Sequence, residues 1–180
     1  AVRYKLGSRA RQAMAPDLGT QANNWSKQES ARRSGFNAEI VELSDLRGDM
    51  QMKSIFRPKV EDASIADLRM HWDADRVSLA KFHCLTTLMG EKDRRWNVYE
   101  VKLDGTGYKP LVENEEPDLE FYDGTYLPDG RVIANSNIGY QGVPCVSGDD
   151  PVGNMVLYTP ENKNLRRLTF DQDANWHPIV

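Results

Sequence analysis

Paired short runs of alternating apolar and polar residues recur along this chain at a nearly constant spacing, and that period restricts the fold more than any other feature. Glu39-Ile40-Val41-Glu42-Leu43 recurs in kind as Asn97-Val98-Tyr99-Glu100-Val101 and again as Asn154-Met155-Val156-Leu157-Tyr158, at intervals of 58 and 57 (97 − 39, 154 − 97). After each run comes a turn and a second run: Met52 to Phe56, then Tyr108 to Val112, then Leu165 to Thr169, with Leu168 following Leu111 at the same interval (168 − 111). A two-stranded hairpin is marginal in water, so each unit must belong to a larger sheet and lean on its neighbours.

The stretch from Asp118 to Ser136 supplies the other half of a unit. Pro128-Asp129-Gly130 is a turn signal, because proline presets φ at about −65° and glycine accepts positive φ, and Arg131-Val132-Ile133-Ala134 leaves it as a β run. A similar stretch spans Ala66 to Ala80 around a turn at Asp73 to Asp75, with Asp75-Arg76-Val77 about 55 residues before Gly130-Arg131-Val132. Four short strands per unit at this period are the pattern of β-propeller blades. The expectation is an all-β fold in which residues 39–180 form about two and a half antiparallel four-stranded blades of a larger propeller. Long loops are expected at 83–95 and 137–153. Residues 1–38 read as a basic, partly irregular segment, with any helix confined to about Ser26–Arg33.

Charge and hydropathy narrow the functional classes. Residues 1–36 carry Arg3, Lys5, Arg9, Arg11, Lys27, Arg32 and Arg33 against Asp17 and Glu29, whereas Glu113, Glu115, Glu116, Asp118 and Glu120 form an acidic cluster. The basic arm lacks the interleaved aromatic residues of a single-strand binder, so nucleic acid is not expected as a partner. Apolar runs such as Met155–Tyr158 are far below the roughly 20 residues that cross a bilayer as a helix. The chain opens at Ala1 and stops at Trp176-His177-Pro178-Ile179-Val180 inside a strand-like run. It is therefore expected to be an excerpt of a longer protein.

Residues able to carry chemistry are few. Cys84 and Cys145 are the two cysteines, too few for a disulfide framework and without Cys-x-x-Cys spacing, although one bridge between them is conceivable. Cys145, with His177 and His71, is the candidate metal set, since thiolate and imidazole suit zinc or another transition metal; His83, Asp149 and Asp150 are further donors. The competing reading makes His71 and His177 packing residues beside Trp72 and Trp176, and Cys145 a small buried hydrophobe. Asp73 and Asp75 read as turn formers. No Gly-x-Ser-x-Gly elbow is present, and no catalytic residue is assigned. The loop Asn137–Asp150, apolar at Tyr140, Val143, Pro144 and Cys145 and supplied with three glycines, is expected to fold onto one end of the propeller as a functional surface.

Leu-Pro-Asp-Gly-Arg-Val-Ile at 127–133 and Asn-Leu-Arg-Arg-Leu-Thr-Phe-Asp at 164–171 resemble the units of TolB-type, WD40-like propellers. Together with His-Trp-Asp-Ala-Asp-Arg-Val at 71–77, Tyr-Gln-Gly-Val-Pro-Cys at 140–145 and Leu-Thr-Phe-Asp-Gln-Asp-Ala-Asn-Trp-His-Pro at 168–178, they resemble the propeller region of proteins related to the hydrazine synthase alpha subunit. The resemblance covers residues 37–180. It implies a bacterial, exported protein, periplasmic or extracellular, in which a propeller is joined to further domains. In true hydrazine synthases haem is carried by other parts of the protein, and this chain has no Cys-x-x-Cys-His attachment motif.

Two functional readings follow. In the first the chain is a non-catalytic scaffold and interaction module, its partners being other domains of the same polypeptide or other proteins, and it holds no cofactor. In the second it is part of a metal- or haem-dependent redox enzyme, with a site at the channel mouth near Cys145.

Overall fold

The computed structural model of the chain describes residues 1–3, 37–59, 65, 68–71, 83–89, 96–113, 116–144, 147–148, 151–175 and 178–180. Among these residues the fold is all-β, with no helix. The strands are β1 (Val2–Arg3), β2 (Glu39–Ser44), β3 (Gln51–Phe56), β4 (Arg69–Met70), β5 (His83–Met89), β6 (Trp96–Lys102), β7 (Lys109–Pro110), β8 (Phe121–Tyr126), β9 (Val132–Ser136), β10 (Asn154–Thr159) and β11 (Asn164–Arg167). They form three antiparallel sheets, ordered β1-β2-β3, β4-β5-β6-β7 and β8-β9-β10-β11, and among the described residues these sheets do not close on one another.

The sequence period survives as hydrogen-bond register. In the second sheet the Leu111 amide donates to the Val98 carbonyl at 2.8 Å, and in the third Leu168 donates to Met155 at 2.8 Å. The pairs Tyr99↔Pro110 and Glu100↔Lys109 reappear as Val156↔Arg167 and Leu157↔Arg166, each position advanced by 57 (156 − 99, 167 − 110, 157 − 100, 166 − 109). In the first sheet Glu42↔Lys53 stands where Glu100↔Lys109 stands in the second, offset by 58 on one strand (100 − 42) and by 56 on the other (109 − 53). The difference reflects a longer first hairpin (53 − 42 against 109 − 100), and beyond this pair a register shift at Ile40/Val41 gives β3 one extra residue.

The central strand β5 departs from expectation. His83–Met89 lies where the sequence predicts the start of a loop, yet it pairs with β4 on one side and β6 on the other. Through Leu85↔Glu100 and Ile133↔Leu157, β5 precedes β9 by an offset of 48 (133 − 85), so Cys84, not Val77, is the counterpart of Val132. The second unit spends its extra chain between β4 and β5, whereas the third spends it on residues 137–153 between β9 and β10. The expected turn at Asp73–Asp75 and the short helix at Ser26–Arg33 lie outside the described residues.

The Pro128–Gly130 turn is as expected. Gly130 has φ of 85°, its amide donates to the Leu127 carbonyl at 3.0 Å, and the Leu127 amide donates to the Arg131 carbonyl at 2.8 Å. Arg131 donates through its amide and its Nε to the Asp129 carboxylate, at 3.1 and 2.8 Å. These bonds, the side-chain one foremost, hold the Asp129 carboxyl below its ordinary value.

Apolar side chains from facing sheets hold the stack together. Val98, Leu111 and Val112 of the second sheet pack with Phe121, Tyr126, Val132, Ala134, Val156 and Tyr158 of the third. Val101 turns the other way and joins Ala38, Ile40 and Ile65, with Tyr99, Tyr108 and Phe56 alongside. Alternation along β6 therefore places Val98 in one core and Val101 in the other, which is why a strand that is half polar in sequence serves both neighbours. Tyr99 and Tyr108 stack at 4.9 Å, and Phe56 lies 4.8 Å from Tyr108.

Candidate functional site

His71 is the one proposed metal ligand among the described residues, and it sits in packing. Leaving β4, it is half-buried with its ring edge-on to Tyr126, centroids 4.6 Å apart at 74°. The Tyr126 hydroxyl donates to Glu100 Oε1 at 2.7 Å, and Lys109 Nζ pairs with Glu100 Oε2 at 3.2 Å. Arg69 and Glu100 both stand opposite Leu85, so they share one face of the sheet. Sequence reading singles out His71 alone; the Tyr126 phenol against it, and the Glu100 carboxylate and Lys109 ammonium linked through that phenol, come from β8, β6 and β7, and no local motif joins them.

Cys145 and His177, like Trp72, Asp73, Asp75, Asp149, Asp150 and Trp176, lie outside the described residues, and His83 is placed only by its backbone in β5. Among the described residues no group of three or more His, Cys, Asp or Glu side chains is placed to hold a metal ion.

The described part of the 137–153 loop is a folded projection. The Tyr140 amide donates to the Asn137 carbonyl at 2.9 Å, Gly148 to Val143 at 3.0 Å and Val152 to Gln141 at 2.7 Å, and Gly142 and Pro151 form an antiparallel bridge. Val143 and Val152 are buried. Two polar ties bind the loop to the sheet. Arg167 Nη2 donates to Gln141 Oε1 at 3.0 Å while its guanidinium lies 4.6 Å from the Phe170 ring. The Asn137 amide group accepts from the Glu120 amide at 2.9 Å and donates to the Asp118 carbonyl at 2.7 Å. Tyr140 is 65 % exposed and has φ of 47°, a backbone conformation disfavoured for a bulky residue.

A buried polar pair falls outside the sequence-predicted set. Asp123, 5 % exposed, sits with φ of 54° at a bulge where the β8–β9 register shifts between Tyr122 and Thr125. Asn135 Nδ2 donates to Asp123 Oδ2 at 3.2 Å, while Asn135 Oδ1 and, elsewhere in the sheet, Asn154 Oδ1 are buried without a hydrogen-bond partner. Packing requires glycine beside the bulge: a Cβ on Gly124 would fall 2.7 Å from Val98 Cγ1. Asp-Gly inside a β run is a bulge signal, and it is legible in Tyr122-Asp123-Gly124-Thr125.

Among the described residues no helix is long and apolar enough to cross a membrane. In comparisons with known proteins, no family model, curated protein or solved structure matches this chain.

Proposed function

We propose that this chain is a segment of a β-propeller and serves as a scaffold and interaction module in an exported bacterial multidomain protein related to the hydrazine synthase alpha subunit. The supporting observation is the repeat at the level of register: Val98–Leu111 and Met155–Leu168 make the same backbone bond one period apart, both partners advanced by 57 (155 − 98, 168 − 111). Successive four-stranded meanders that place apolar residues on both faces, as β6 does with Val98 and Val101, are built to stack around an axis. Each sheet then serves as a wall for the next, and the loops at the ends of the stack become the variable surface.

The test is electron microscopy of the protein at its natural length, with fractionation of the cells that make it. The expected result is a ring of 4 to 8 radial sheets in an exported protein. An open stack, a two-layer sandwich or a cytoplasmic protein would overturn the proposal.

A further inference from the structure

The last strands of the three sheets, β3, β7 and β11, are sheet edges among the described residues, and they differ in how they meet solvent. β7 is two residues long and ends in Pro110, which has no N–H to offer. β11 carries Arg166 and Arg167, the latter drawn onto Gln141 and Phe170. β3 runs for six residues, and its side chains from Gln51 to Ser54 are exposed. Leu46, Met50 and Met52, exposed by 72 %, 57 % and 47 %, gather at the β2–β3 hairpin.

The backbone groups that face outward along β3 follow from the ladder. Val41 exchanges both of its hydrogen bonds with Ala1, its amide donating to Ala1 O and its carbonyl accepting from the Ala1 ammonium, each at 2.8 Å. Its pair with Ser54 is therefore non-hydrogen-bonded, and Ser54, like Met52 two positions earlier, directs its N–H and C=O away from the sheet. Further along the strand, the turn at Gly105 sits over the Ile55 carbonyl. Among the described residues the open part of the edge is thus Gln51 to Ser54. Residues 50–59 contain Lys53, Arg57 and Lys59 and no acidic residue; Arg57 is paired with Glu39, so Lys53 and Lys59 are the cations turned to solvent.

We infer that β3 is a strand-addition site that takes an extended peptide alternating acidic and apolar residues. Backbone bonds to Met52 and Ser54 would supply the pairing, the exposed methionines an adaptable apolar contact, and the cations the preference for acid. Positive charge at Lys53 opposes pairing with a second copy, which would bring the Lys53 ammonium groups of two chains onto one short edge. This inference deepens the interaction-module reading and rests on it for binding as the chain's role. It does not depend on ring closure, so an open stack in the microscope would leave it standing.

The experiment is fluorescence anisotropy with labelled Glu-Val-Glu-Val-Glu-Val and, as control, Lys-Val-Lys-Val-Lys-Val. The glutamate peptide is expected to bind saturably and at least ~10-fold tighter than the lysine peptide. Ser54→Ala removes only the hydroxyl and should bind as the wild type does. Ser54→Pro also removes the outward N–H, as Pro110 does at the matching place in the second sheet, and should weaken binding by ~10-fold or more. Lys53→Glu, which leaves the backbone alone, should shift preference toward the lysine peptide. Absence of saturable binding, equal affinity for the two peptides, equal binding by Ser54→Ala and folded Ser54→Pro, or an unchanged preference in Lys53→Glu would overturn the inference. So would a dimer that Ser54→Pro dissolves, because a second copy would then occupy the edge.

Discussion

The Tyr126 hydroxyl donates a 2.7 Å hydrogen bond to the Glu100 carboxylate, joining β8 of the third sheet to β6 of the second. Tyr126 is buried and Glu100 nearly so, and the bond crosses an interface whose apolar part includes Val98, Val132 and Tyr158. A charge-assisted bond in such a place contributes more than a surface ion pair.

Tyr126→Phe keeps the ring that His71 packs against and removes only this donor. The expected loss is about 2 kcal/mol in urea denaturation. Lys109, with its side chain 61 % exposed, pairs with the same carboxylate, and Lys109→Ala should cost less than about 0.5 kcal/mol. If the two variants cost the same, the phenol has no special part in the interface.

Gly124 and Val98 should be energetically coupled. A Cβ at position 124 would stand 2.7 and 3.0 Å from the two Val98 methyl carbons. Gly124→Ala is expected to destabilise by about 1–3 kcal/mol through overpacking. In Val98→Ala the space opens, so the double variant should lose less than the sum of the single losses, by about 1–2 kcal/mol. Additive losses in a double-mutant cycle would place the cost of Gly124→Ala somewhere other than this contact.

Two exposed turns set an acid limb. Asp129 is held below its ordinary value of 3.8 chiefly by the Arg131 side chain, and Asp104 chiefly by the Thr106 hydroxyl, with a backbone N–H adding to each. A carboxyl whose folded-state value is depressed contributes its stability above the unfolded value and loses it as pH falls through the folded one. The urea midpoint should therefore be insensitive to these turns above about pH 5 and decline below about pH 4. Asp129→Asn and Asp104→Asn should each flatten part of that decline. An acid limb identical to the wild type in both variants would assign it to other carboxylates.

Much of the fold was legible because its signals are local. Alternation in Asn97–Val101 and Asn154–Tyr158, and the chemistry of Pro128-Asp129-Gly130, each need only a few neighbouring residues. β5 was missed because His-Cys-Leu-Thr-Thr-Leu-Met lacks strict alternation and has no glycine or proline before it, while the apparent match at Asp75–Val77 drew the strand too early. A central strand bonded on both sides is specified by its partners β4 and β6 as much as by its own sequence. The same holds for the polar groups around His71. Glu100 and Tyr126 are far apart in the chain and meet only because two sheets stack. The bulge at Asp123 was readable in principle, yet the contact that demands glycine at position 124 is with Val98 on another sheet.

Glu39 should govern whether the amino-terminal strand stays attached. Its side chain is 3 % exposed and is met by Arg3 of β1, by Arg57 Nη2 at 3.0 Å and by the Ser54 hydroxyl at 2.6 Å. Among the described residues β1 is otherwise held by two residues that pair with β2, by the backbone bonds between Ala1 and Val41, and by an Arg3 Nη1 contact with Met52 Sδ at 3.7 Å. Glu39→Gln preserves shape and removes the charge. Because the arginines left behind reach solvent, their side chains being 44 % and 67 % exposed, the cost should be about 1–3 kcal/mol, below that of stranding a buried charge. The more specific expectation is local. The Val41 amide, whose acceptor is the Ala1 carbonyl, should exchange with deuterium faster in Glu39→Gln as β1 detaches, while the Leu111 amide bonded to Val98 in the second sheet keeps its protection. Equal acceleration at both amides would mean that the substitution loosens the whole stack, and unchanged exchange at Val41 would mean that β1 is held by its backbone alone.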